Sequence, residues 1–171
     1  ADVSFGNFTK LSISSCTTPW KVFGSSEMLR TRPTVTPALR TGATGELITR
    51  LKALEGAGAA LVCDSGMQAT ALVFDTLMTP GAHAVLCRQI YNKTKSYMRW
   101  LVDRLGGAVT IVDDGDHAAL AAAIRPETRV VFAETFTNPL VRAQDVPALV
   151  ALVVAARATA PDMRLVIDST I

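Results

Sequence analysis

Four short stretches carry side chains able to do chemistry where apolar runs end: "CDSGMQ" at 63–68, "IYNKTK" at 90–95, "ETFTNP" at 134–139 and "IDST" at 167–170. In the first, Ser65, Gly66 and Met67 follow an aliphatic run and open a helical pattern. Backbone N–H groups at a helix N-terminus suit an anion such as a phosphate, and Gly66 allows close approach; the same tetrapeptide also makes a plain strand-to-helix turn. In the last, Asp168 follows Val166 and Ile167, where an ionised carboxylate is costly unless a cation or strong donor meets it. A protonated pyridine nitrogen is one such donor, and an arginine from a neighbouring loop is another. Tyr91 offers either a stacking face or a half-buried packing ring. Asn138 offers either an amide for hydrogen bonding or a turn residue before Pro139.

Side chains so far apart meet only if the chain between them returns repeatedly to one edge, and the hydrophobic pattern provides for that. "TGELITRLKALEG" places Leu47, Leu51 and Leu54 on one helical face, with Thr44 as a candidate N-cap and Gly56 as the stop. Strands "AALVCD", "HAVLC", "AVTIVD", "RVVFAET" and "RLVIDST" then alternate with helices "GMQATALVFDTLM", "KSYMRWLVDRLG", "DHAALAAAI" and "VPALVALVVAARAT". This order predicts an α/β fold, a mostly parallel sheet covered by helices, in which ligands bind at the carboxyl ends of the strands. The Gly56-Ala57-Gly58 group precedes its strand and lacks a third glycine in register, so it makes no dinucleotide fingerprint, and no Walker loop is present.

The chain has 171 residues, 49% of them hydrophobic and 19% charged, with a formal net charge of +2. That composition supports one cored domain and announces neither nucleic acid nor a membrane surface. Cys16, Cys63 and Cys87 are isolated from one another and read as reduced thiols; with only His83 and His117 there is little from which to build a metal site. The absence of a signal-like or membrane-spanning run in these residues leads to the expectation of a cytoplasmic protein. Residues 1–43 mix Ser, Thr, Pro and Arg without a period and read as an N-terminal arm or loops, separate from a domain over 44–171.

The segments "LKALEGAGAALVCDSGMQAT", "RPETRVVFAETFTNP" and "LVIDST", in that order and spacing, resemble the Cys/Met-metabolism family of pyridoxal-phosphate (PLP) enzymes, which includes cystathionine synthases and lyases, methionine γ-lyase and homoserine-ester sulfhydrylases. The resemblance implies the aspartate-aminotransferase type of fold (fold type I), with residues 44–171 as the N-terminal part of the large PLP-binding domain, truncated before the part that bears the Schiff-base lysine. It implies that Ser65, Gly66 and Met67 hold the cofactor phosphate, that Tyr91 stacks on the pyridine ring and that Asn138 binds the ring hydroxyl oxygen. By the same carry-over Asp168 pairs with the ring nitrogen, Thr170 lies under the ring, and Tyr91 and Asp168 are the catalytic pair within these residues. The activity implied for the complete protein is β- or γ-elimination, or γ-replacement, on sulfur-containing or activated homoserine-type amino acids, by a homodimer or homotetramer. A non-catalytic subunit of this fold, or another PLP reaction upon it, is the alternative.

Three positions depart from the family's pattern or fit it loosely. Arg40 stands in a plausible place for the phosphate-binding arginine lent across the family's dimer interface and reads equally as a solvated loop charge, and Ala38 replaces the tyrosine expected two residues earlier. Lys93 follows Tyr91 where small residues are usual, and reads either as a solvated loop lysine or as a cation facing the far end of the substrate. Glu134 matches the family's strand-end glutamate, with a structural hydrogen-bonding role expected of it.

Overall fold

The computed structural model describes residues 9–12, 20–24, 42–57 and 59–170. In chain order the elements are β1 (Thr9–Ser12), β2 (Trp20–Gly24), α1 (Ala43–Glu55), β3 (Ala59–Cys63), α2 (Gly66–Leu77), β4 (His83–Cys87), α3 (Asn92–Leu105), β5 (Ala108–Val112), α4 (His117–Ala123), β6 (Thr128–Glu134), α5 (Val146–Ala156) and β7 (Arg164–Asp168). The strands form one sheet in the order β3-β2-β1-β7-β6-β4-β5. Only β2 runs against its neighbours; β1–β7, β7–β6, β6–β4 and β4–β5 are parallel. The mostly parallel α/β architecture expected from the alternation is therefore present.

Residues 1–43 were expected to be irregular, and here the structure differs: Thr9–Ser12 and Trp20–Gly24 are strands that pair into the sheet between β7 and β3. They are four and five residues long and flanked by Ser, Thr and Pro, too short for a period-2 pattern to stand out. Arg40 and Ala38 lie outside the described residues.

The core is built on β4, β6 and β7. Every residue of β4 is buried, as are Val130 to Glu134 of β6 and Leu165 to Asp168 of β7. Such strands must be apolar on both faces, which is why they read as continuous aliphatic runs. The helices supply the covering faces: α3 buries Thr94, Met98, Leu101 and Val102 and leaves Arg99 and Trp100 outside, the i, i+4, i+7, i+8 spacing of one helical stripe. Leu51 of α1 is buried, whereas Leu54, expected on the same face, is 81% exposed because no described residue covers the last turn. The helix starts after Gly42, which leaves Thr44 inside the first turn, and stops at Gly56 in the left-handed conformation (φ 59°) that glycine adopts without strain. At the end of α3, Gly107 comes so near β4 that a Cβ there would lie 2.3 Å from the Ala82 carbonyl oxygen, so no other residue fits.

At the amino end of the sheet, opposite the strand tips named above, His83 ties three strands together. It is fully buried on β4, with Nδ1 2.9 Å from the Thr128 hydroxyl of β6 and Nε2 2.9 Å from the Thr110 hydroxyl of β5. Burial, helped by the charge of Arg125, lowers its pKa to about 4. The unfolded chain takes up a proton on this residue near pH 6.5, and the folded chain does so only near pH 4. The contribution is thus intact above about pH 6.5 and lost as pH falls through 4. Other groups titrate over the same range, so the comparison with a variant isolates it. The destabilisation caused by His83→Gln, measured by urea unfolding, should be largest at pH 7 and shrink steadily towards pH 4.5.

Candidate functional site

The carboxyl ends of β3, β4, β6 and β7 open into one cavity of about 380 Å³, lined by Ser65, Gly66, Met67, Thr70, Tyr91, Thr94, Glu134, Phe136, Asn138, Asp168 and Thr170. In the sheet, β4 is flanked by β5 on one side and β6 on the other. The chain leaves β4 towards β5 on one side and leaves β6 towards β7 on the other, so the two connections part between the tips of β4 and β6, the place where open α/β sheets form a crevice.

The turn from β3 into α2 is organised around Ser65. Its hydroxyl accepts the Gln68 N–H at 3.2 Å, while the Gln68 side chain reaches back to accept the Asp64 N–H at 2.7 Å, a variant of the capping box. With the cap directed to Gln68, the N–H groups of Gly66 and Met67 remain among those that a helix leaves without internal acceptors. The first turn of α2 contains no acidic residue to neutralise the positive end of the helix. These features together make an anion seat.

Tyr91 is 46% exposed and stands at the N-cap of α3, a lining residue of the cavity with its N–H donated to Glu134 Oε1 at 2.7 Å. Asn138 sits in a tight loop between β6 and α5. That loop is pinned by the Asn138 N–H to the Gln89 carbonyl at 3.0 Å, the Val141 N–H to the Thr137 carbonyl at 2.7 Å, and the Arg142 N–H to the buried Thr137 hydroxyl at 3.0 Å. Val141 holds φ 52°, a left-handed conformation that β-branched residues rarely adopt and one that surrounding structure must enforce. The result is a loop that presents Phe136 and Asn138 to the cavity.

Asp168 and Glu134 are register partners on adjacent strands and are 5% and 7% exposed. Among the described residues the Asp168 carboxylate receives only the Thr170 N–H at 3.0 Å and the Thr170 hydroxyl at 2.5 Å, and no ion pair reaches it. Burial raises its pKa to about 6 against the opposing pull of Thr170. Burial raises Glu134 to about 7, with Asp168 and Asp114 adding to the rise and the Tyr91 N–H and Lys95 opposing it. Two strained acids at one cavity wall, beside an anion seat, call for a ligand with a phosphate at one end and a protonated donor at the other.

Of the residues singled out from sequence, Ser65, Gly66, Met67, Tyr91, Asn138, Asp168 and Thr170 are brought together here. Lys93 is not: it is exposed in the first turn of α3, outside the cavity lining, and is part of a helix that begins three residues earlier than its hydrophobic pattern. Thr70, Thr94 and Phe136 were missed. The first two are buried and follow Gly66 and Tyr91 by one helical turn, a spacing that could have pointed to them once the helix starts were known.

The model of the Cys/Met metabolism PLP-dependent enzyme family matches residues 39–171, and the chain belongs to that family. It is 36% identical over 124 residues to the L-methionine γ-lyase of Pseudomonas deceptionensis, covering 72% of this chain and 30% of the relative. It is 35% identical over 126 residues to the O-acetyl-L-homoserine sulfhydrylase of Corynebacterium glutamicum, covering 73% of this chain and 28% of the relative. The solved O-acetylhomoserine sulfhydrylase of Wolinella succinogenes superposes with a TM-score of 0.63 at 31% identity, covering 74% of this chain and 34% of that one. The chain thus spans less than a third of the length of these curated relatives. The family's cofactor is PLP, and the residues fit it: a phosphate matches the α2 seat, and a protonated ring nitrogen supplies the donor that the buried Asp168 carboxylate lacks.

The unpaired state of Asp168 has a measurable cost in the cofactor-free protein. Its folded pKa of about 6 stands above the ordinary value of 3.8, so the residue favours folding most below pH 3.8, and that contribution is lost as pH rises through 6. Asp168→Asn keeps an acceptor for Thr170 and removes the buried charge. The variant should be more stable than wild type at pH 7.5, by up to about 3 kcal/mol, with the gain vanishing near pH 4. Thermal unfolding at the two pH values, without PLP, measures both.

Proposed function

We propose that the polypeptide to which this chain belongs is a PLP-dependent enzyme of β- or γ-elimination, or γ-replacement, acting on sulfur-containing or activated homoserine-type amino acids. The observation that carries the cofactor assignment is Asp168, a buried carboxylate with no donor but Thr170 among the described residues, lining one cavity with the N-terminus of α2. The substrate class is supported by the relatives, whose names are those of a methionine γ-lyase and homoserine-ester sulfhydrylases.

In this reading PLP supplies an electron sink for charge developing at the α-carbon of a bound amino acid. The chain's own residues hold it and set its electronics. The Gly66 and Met67 N–H groups, at the turn fixed by Ser65, take the phosphate. Tyr91 covers one face of the ring, and the Asn138 amide donates to the ring hydroxyl oxygen. Asp168 accepts from the ring N–H and keeps that nitrogen protonated, and Thr170 locks the carboxylate in place through its N–H and hydroxyl. Among the described residues lining the cavity there is no lysine, so the amine that would anchor the cofactor lies elsewhere in the assembly. The same observation favours the second reading, a non-catalytic subunit of this fold. A homodimer or homotetramer, with Arg40 reaching a neighbouring site, is part of the proposal on family grounds.

The complete gene product, supplied with PLP, should convert at least one of O-acetylhomoserine, O-succinylhomoserine, cystathionine and methionine. Asp168→Asn should lower kcat by about 100-fold, the effect of losing one charge-assisted hydrogen bond at the ring nitrogen. Saturation with PLP without turnover of any of them would favour the non-catalytic subunit. Turnover confined to transamination or decarboxylation would move the chain to another reaction on the same fold.

A further inference from the structure

Helix α3 starts in an unusual way. Tyr91 at its N-cap makes no side-chain cap, and the first turn has no acidic residue but carries Lys93 and Lys95, which oppose the positive end of the helix dipole. The missing anion comes from another strand, 43 residues away: Glu134 Oε1 accepts the Tyr91 N–H at 2.7 Å. The neighbouring anchors of this turn, the Arg88 N–H to the Val112 carbonyl at 2.8 Å and the Gln89 N–H to Asp114 Oδ2 at 2.9 Å, hold the chain before Tyr91 and lie outside the cavity lining. Glu134 alone among these acceptors lines the same cavity as Tyr91, and Tyr91, 46% exposed, is held through its backbone N–H.

We propose that Glu134 is the positioning residue for Tyr91: by accepting its N–H, it sets the attitude of the ring over the cavity and thereby of any cofactor ring stacked on it. The inference rests on the PLP reading of the cavity and adds to it a group that acts through Tyr91. Charged and titratable groups face Glu134 from every side: Asp168 on β7, Asp114 beyond β5, Lys95 on α3, and Cys87 on β4, whose thiol is itself pushed up to about 12 by burial and by Asp114 and Glu134. With burial and the two aspartates outweighing Lys95 and the Tyr91 N–H, Glu134 ionises at about pH 7. The acceptor is then a carboxylate above that pH and a neutral acid below it, and a hydrogen bond to the carboxylate is about twice as strong. The attitude of Tyr91 therefore follows pH through this one group.

The test loads the complete protein with PLP and compares wild type, Glu134→Gln and Glu134→Ala between pH 6 and 8.5. The readouts are visible circular dichroism of the bound cofactor, which reports ring asymmetry, the PLP dissociation constant by equilibrium dialysis, and thermal unfolding. Glutamine still offers an amide oxygen to the Tyr91 N–H. It should retain most of the dichroism and lose the wild type's dependence on pH near 7. Alanine should lose more than half of the dichroism and bind PLP about tenfold more weakly, less than the loss of a charge-assisted hydrogen bond made to the cofactor itself, because Glu134 acts through Tyr91. A folded Glu134→Ala with unchanged dichroism and affinity, or a Glu134→Gln as impaired as alanine, would overturn the inference while leaving the cofactor reading intact. If alanine does not fold, the pH profiles decide: a wild-type transition absent from Glu134→Gln supports the inference, and identical profiles overturn it. A wild type that binds no PLP would remove the cofactor reading and the inference together.

Discussion

The constraint around which this site is arranged is the burial of two carboxylates, Asp168 and Glu134, on the tips of neighbouring parallel strands with no ion pair to either among the described residues. An ionised carboxyl taken out of water is expensive, and a protein retains one where hydrogen bonds, a cation or a bound group offset the cost. Among the described residues Asp168 is held by Thr170 and Glu134 by the Tyr91 amide, so each acid is oriented, the second by a backbone group distant in sequence. The loops follow from this: Tyr91 must begin α3 where Glu134 can reach it, and the loop after β6 must fold back tightly enough to bring Asn138 beside them. The covering helices keep water from the strands beneath, which is what raises both acids.

The same arrangement separates the work of the two ends of the sheet. At the amino end, His83 bridges three strands through two threonine hydroxyls and remains neutral; it makes a dry, satisfied contact that holds β4, β5 and β6 together. At the carboxyl end the polar groups converge on open space. Stability is gathered where hydrogen bonds are complete, and binding capacity where they are not.

Much of the fold from Ala59 to Asp168 was legible because its elements are apolar runs punctuated by Gly, Asp or Pro, and because doubly covered strands such as "HAVLC" and "LVID" need hydrophobic residues on both faces. The cavity follows from the rule that parallel sheets bind ligands at strand ends, which draws Ser65, Gly66, Met67, Tyr91, Asn138, Asp168 and Thr170 into one place from sequence alone. What remained hidden has a physical reason in each case. β1 and β2 are too short to show a period. The first turn of α3 is polar and uncapped, and is stabilised by Glu134 from another strand, so local sequence could not place its start, and Lys93 passed for a loop residue. Thr70 and Thr94 face the cavity only because of where their helices begin. The weight of Glu134 lay in a tertiary hydrogen bond that no spacing encodes.

The central claim is that the Asp168 carboxylate meets a protonated ring nitrogen. PLP labelled with ¹⁵N in the ring, bound to the complete protein, reports that proton directly through its nitrogen chemical shift. The account predicts a pyridinium shift that persists to pH 8 in wild type and moves to that of a neutral pyridine in Asp168→Asn. A neutral-pyridine shift in the wild type at pH 7, with PLP bound, would contradict it.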